Sequence, residues 1–77
     1  MAFQYEVFEV SLYRKEVGKY LSYGIRLYKI SAKKKVLLEE YEDAFLDLKT
    51  ALEFATLCNE EAVSPVHFYD VLEDFLP

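Results

Sequence analysis

The hydrophobic period of this chain changes once, near residue 43, and that change dictates the order of its elements. Before it, apolar and polar residues alternate with the period of two that suits a half-buried strand. After it, apolar residues recur at three-and-four spacing, the period of an amphipathic helix. Strands therefore come first and helices after, which is the pattern of an α+β domain rather than of alternating βαβ units.

FQYEVFEVSLY, residues 3–13, reads as the first strand. Phe3, Tyr5 and Val7 alternate with polar residues, and so do Phe8, Val10 and Leu12, but the apolar phase flips between Val7 and Phe8. Either a bulge shifts the register there or both faces of the strand are covered. RKEVGK, residues 14–19, is a turn. YLSYGIRLYKIS, residues 20–31, is a second strand rich in β-formers. One of its faces carries Leu21, Tyr23, Ile25 and Leu27, and Gly24 inside it signals a bulge or a close backbone approach. AKKK, residues 32–35, turns the chain into a third strand over residues 36–42. Two short connections give an antiparallel meander in order 1-2-3.

Residues 43–61 place Leu48, Ala51, Leu52, Ala55 and Cys58 on one side of a helix, widened by Phe54 and Leu57. Asp43 or Asp47 suits its N-cap, and Asn59 to Ala62 its end. In the closing stretch SPVHFYDVLEDFLP, Ser64 suits an N-cap and Pro65 the first helical position. Phe68, Leu72, Phe75 and Leu76 then share a face, opposite Asp70, Glu73 and Asp74. This is an amphipathic lid. The 77 residues are expected to form a single domain, with the three-stranded meander covered on one face by two α-helices (β-β-β-α-α).

The C-terminal residues Asn59, Ser64, Pro65, Asp70, Val71, Asp74 and Phe75 follow a recurring pattern: an asparagine, a Ser-Pro helix start and Asp-Val-x-x-Asp-Phe. In this the chain resembles small uncharacterised bacterial proteins of a family of unknown function in spore-forming anaerobes. The resemblance covers about a quarter of the chain. It implies no activity.

The inventory of reactive groups is thin. His67 is the one histidine; Asp70, three residues on, stands where it can orient the ring. A border histidine bonded to Asp70 or to water is the ordinary outcome of that spacing. Cys58 is the only cysteine, lies on the apolar stripe and reads as a buried inert thiol. Neither acidic group, Glu39–Asp43 or Asp70–Asp74, has the glycine and alternating oxygens of a calcium loop. Two isolated glycines build no phosphate loop. The expectation is a non-enzymatic protein with no cofactor and no metal. Lacking a basic, apolar start, a paired cysteine and an apolar run beyond three residues, the chain reads as cytoplasmic and away from membranes.

Binding remains. Net charge is −5, split between +5 on residues 1–38 and −10 on residues 39–77. Two helices cover only one face of three strands, yet both faces of the second strand carry large side chains. Tyr20, Arg26, Tyr28 and Ile30 share the uncovered one, a composition favoured at protein interfaces. They are the candidate interface of a small protein-interaction module, a homodimer formed through the sheet face or an edge strand. The second reading is single-stranded nucleic acid stacked on the tyrosines beside Arg26.

Overall fold

A computed structural model describes residues 2–76. Strands β1 (Ala2–Arg14), β2 (Gly18–Ser31) and β3 (Lys34–Phe45) form an antiparallel sheet in the order β1-β2-β3. Helix α1 (Leu48–Glu60) follows, then a 3-10 turn over Pro65–His67 that leads directly into α2 (Phe68–Phe75). Both helices pack on the same face of the sheet, as the order of periods requires.

The β1–β2 register runs unbroken from Ala2 opposite Ile30 to Arg14 opposite Gly18. The phase flip in β1 is therefore no bulge. Phe3, Tyr5 and Val7 face the helices, whereas Phe8, Val10 and Leu12 lie on the other face of the same regular strand. The flip marks where helical cover ends: beyond Val7, the helix-side positions are Glu9, Ser11 and Tyr13. In the tight turn Lys15–Val17, the Val17 N–H donates to Arg14 C=O at 3.2 Å, and Gly18 closes the turn with φ +78°.

The irregularity sits in β3. Its pairing with β2 shifts between Tyr23 and Ile25 and again between Leu27 and Tyr28. The first shift surrounds Gly24, so the expected close approach is real. A Cβ there would stand 2.3 Å from the Tyr41 carbonyl oxygen and 2.6 Å from the Phe8 ring. β3 also runs on to Phe45, opposite Tyr23, through residues expected to begin the helix. The cap is Asp47, whose Oδ2 accepts from the Thr50 N–H at 2.8 Å.

The core gathers Tyr5, Ile25, Leu27 and Phe45 from the sheet under Ala51, Phe54, Ala55 and Cys58 of α1 and Phe68 of α2. Phe68 is the keystone. Its ring stacks on Tyr5 of β1 (5.5 Å between centroids) and on Tyr41 of β3 (4.7 Å), and meets Phe54 edge-on at 5.7 Å. The buried arc of α1 is narrower than the apolar stripe suggested. Phe54 and the small residues fill it, leaving Leu48 and Leu52 44% and 50% exposed.

The end of α1 is a Schellman motif: the Val63 N–H donates to Cys58 C=O at 3.0 Å and the Ala62 N–H to Asn59 C=O at 3.3 Å. Ala62 holds the left-handed position with φ +50°, where glycine is at ease and alanine is strained. Ala62→Gly should therefore stabilise the protein by about 1 kcal/mol, raising Tm by about 4–8 °C for a domain of this size. An unchanged or lower Tm by calorimetry would refute the strain. Downstream, Ser64 precedes the first turn as expected. Its backbone carbonyl makes the bond there, accepting from the His67 N–H at 3.0 Å, while its hydroxyl makes no capping bond. Proline at the first position fits the tight 3-10 turn, so the lid opens as 3-10 and becomes α-helical only at Phe68.

Candidate interface on the sheet and its edge

Tyr20, Arg26, Tyr28 and Ile30 do share the sheet face opposite the helices, all partly buried. In-chain partners hold three of them. Arg26 ion-pairs with Glu40 (2.9 Å) and lies 4.0 Å over the Phe8 ring, which itself covers Gly24. Lys35 ion-pairs with Glu6 and lies 4.4 Å over Tyr28. Tyr20 donates its hydroxyl to Asp43 at 3.1 Å. Arg14, paired with Asp43, lies 5.8 Å over the Tyr20 ring, so this face is a set of aromatic rings, three of them capped by cations that are each neutralised by a carboxylate.

Asp43 is the polar centre of the sheet's far end. The bulge turns it into the left-handed region, φ +54°, where a short polar side chain is tolerated. Its carboxylate accepts from the Ser22 hydroxyl (2.7 Å), Tyr20 and Arg14 (3.0 Å). Ser22, fully buried, also lies 3.0 Å from Phe45 C=O. These donors, Ser22 first, hold the Asp43 carboxyl below its ordinary pKa of 3.8. A depressed folded pKa contributes stability that is present above the ordinary value and lost as pH falls through the folded one. Asp43→Asn keeps the left-handed preference and removes the charge. It should lower the urea midpoint at neutral pH, with the deficit shrinking as pH drops below 3.8. A deficit independent of pH would show that shape rather than charge is what Asp43 supplies.

The groups weighed for chemistry are set apart from one another. His67 is exposed at the end of the 3-10 turn, and no hydrogen bond joins it to Asp70 among the described residues. Cys58 is fully buried, and burial pushes its thiol up to about 11, which keeps it neutral and unreactive near pH 7. No three metal-ligating side chains converge among the described residues. No helix among them is long and apolar enough to cross a membrane.

One residue does work that its sequence context hid. Asn59, in the last turn of α1, reaches the outer edge of β1. Its Oδ1 accepts from the Tyr5 N–H at 2.8 Å, and its Nδ2 donates to Tyr5 C=O at 3.0 Å. The amide stands in for one residue of a neighbouring strand. Tyr5 is held a second time through its hydroxyl, which donates to Val63 C=O at 2.7 Å; burial pushes its pKa up to about 12. Leu52 and Leu48 lie seven and eleven residues before Asn59, so all three share one flank of α1. Because Asn59 touches the β1 edge and α1 lies chiefly over β1, that flank overhangs the edge. A polar amide in register with two leucines on a helix flank is the signal that marks such a position.

The family described as "Family of unknown function (DUF6514)" matches the chain over residues 1–77. No curated protein and no solved structure matches it. The match takes in the whole sheet and both helices as well as the C-terminal residues of the Ser-Pro pattern, and the chain belongs to this family of unknown function.

Proposed function

We propose that this chain is a small non-enzymatic interaction module that self-associates through its sheet. The observation that carries the reading is the arm formed by the far half of the β1–β2 hairpin. β3 pairs with β2 only as far as Tyr23, which lies opposite Glu9, so residues 10–22 extend beyond the third strand. Large apolar side chains stand bare on this arm: Tyr13 is 69% exposed, Val17 67% and Leu21 53%. A hairpin of two strands is marginal alone, and exposed apolar surface of this kind is typical of contact surfaces. A second copy brings an identical arm, so one patch serves as both donor and acceptor of the contact.

Light scattering should report about twice the chain mass of 9.1 kDa at micromolar concentration. Replacing both Tyr13 and Leu21 by glutamate should return it to one chain, and a clean monomer of the unchanged protein would overturn the reading. The face carrying Tyr20, Arg26, Tyr28 and Ile30 is the other surface that this contact can use, and Tyr28→Glu tests it in the same measurement.

Arg26 and Lys35 stacked on Phe8 and Tyr28 favour a second reading, single-stranded nucleic acid. Glu40 and Glu6 beside those cations oppose it, because phosphate affinity rests on unneutralised positive charge. Submicromolar, salt-sensitive binding lost on Tyr28→Ala would put this reading first.

A further inference from the structure

We infer that the partner of this chain is a second copy paired along the outer edge of β1, antiparallel, with Val10 opposite Val10 of the other protomer. The inference rests on the self-association proposed above and specifies its surface.

The sheet has two edges, and they differ in kind. β3 is interrupted by two register shifts, and the one at Leu38 changes which residues direct their backbone groups outward. Bulges of this sort blunt an edge. β1 is thirteen residues long, regular throughout and free of proline. Tyr5 directs both backbone groups outward to Asn59, so the alternating residues Val7, Glu9, Ser11 and Tyr13 direct theirs outward too. Asn59 is the only group hydrogen-bonded to this edge among the described residues. The unpaired ladder therefore starts just beyond Tyr5 and runs to the turn.

Register follows from the side chains. With Val10 at the two-fold axis, Phe8 faces Leu12 of the second copy, and Glu6 faces its Arg14. On the helix side Val7 faces Tyr13, and Glu9 faces Ser11. Every pair is apolar with apolar, acid with base, or acid with hydroxyl, and each occurs twice except Val10 with Val10 on the axis. Centring the pair on Glu9 sets two carboxylates face to face, which is unfavourable. Centring it on Ser11 sets Phe8 against Arg14 and Val7 against Lys15. The Val10 register ends where it must, at Tyr5, whose ladder groups Asn59 already holds. A two-fold axis normal to the sheet also puts both pairs of helices on one side. The incoming Tyr13 then lies beside Val7 beneath the overhanging flank of α1, where Leu52 and Leu48 stand exposed. The arm and the bare leucines of the helix cover each other.

The test uses the full chain. Val10 opposite Val10 is a non-hydrogen-bonded pair, with Cα atoms about 4.5 Å apart, close enough for a disulfide. Val10→Cys should cross-link to a dimer on mild oxidation. Leu12→Cys, on the same face but about 13 Å from its symmetry mate, should not. Native Cys58 is buried and does not compete. Ser11→Pro removes an outward N–H and leaves the β2 ladder whole, so its mass should fall to one chain under conditions where the unchanged protein is dimeric. If Ser11→Pro fails to fold, the cysteine pair decides alone. A dimer in which Val10→Cys does not cross-link preferentially overturns the edge and register while self-association stands, and transfers the contact to β3 or the open face. A monomeric unchanged chain overturns both.

Discussion

Phe68→Ala is expected to cost the folded protein a large share of its stability. The ring is 1% exposed and touches β1, β3 and α1 together through Tyr5, Tyr41 and Phe54. Truncating a buried phenylalanine costs about 3–5 kcal/mol, and the lost stacking is part of that. A domain of this length has a total stability on the order of 4–12 kcal/mol. Tm should fall by at least about 12 °C, or the cooperative transition should vanish. The lid then keeps only Phe75 against Phe45 and Phe54 with the partly buried Val71 and Leu72, so α2 should fray before the sheet unfolds. Circular dichroism would follow both events, and a variant with a transition within a few degrees of the parent would remove Phe68 from its central place.

Gly24→Ala should be nearly as damaging, for a different reason. Gly24 keeps an ordinary extended backbone, and what it lacks is room. The added methyl meets the Tyr41 carbonyl, which the bulged strand cannot withdraw, and the Phe8 ring, which Arg26 covers from outside. The expected loss is about 3 kcal/mol, at the upper end of overpacking costs. Gly18→Ala provides the contrast. Nothing lies within 4 Å of its new Cβ, so only the left-handed φ is penalised, by about 1 kcal/mol. Urea titrations of the two variants should separate by about 2 kcal/mol. Equal losses would mean that Gly24 is not held by its neighbours.

What was legible in the sequence was whatever depends on period. Alternation in residues 3–31 places two strands, the short turn at 32–35 adds a third to the meander, and three-and-four spacing after them places the helices. Boundaries set by distant pairing were not legible. Ala44 and Phe45 suit a helix start as well as a strand end, and only Tyr23, more than twenty residues earlier, decides between them. The exposure of Leu48 and Leu52 was hidden for a similar reason, since α1 has a wider apolar stripe than one contact can bury. The position of Phe68 against the sheet selects the arc centred on Phe54 and leaves the leucines outside. The four residues placed on the open face were correctly grouped by alternation, whereas their ionic partners Glu40 and Glu6 follow from register. Asn59 was the hardest to read, because its partner Tyr5 stands 54 residues away.

That single amide gives the molecule a built-in reporter. Outward N–H groups on an unpaired edge strand exchange with solvent freely, while Tyr5 N–H is shielded only as long as the last turn of α1 stays docked. Its exchange rate in deuterium oxide therefore measures how often the helical layer lifts from the sheet, separately from global unfolding, which governs the β2 amides bonded on both sides.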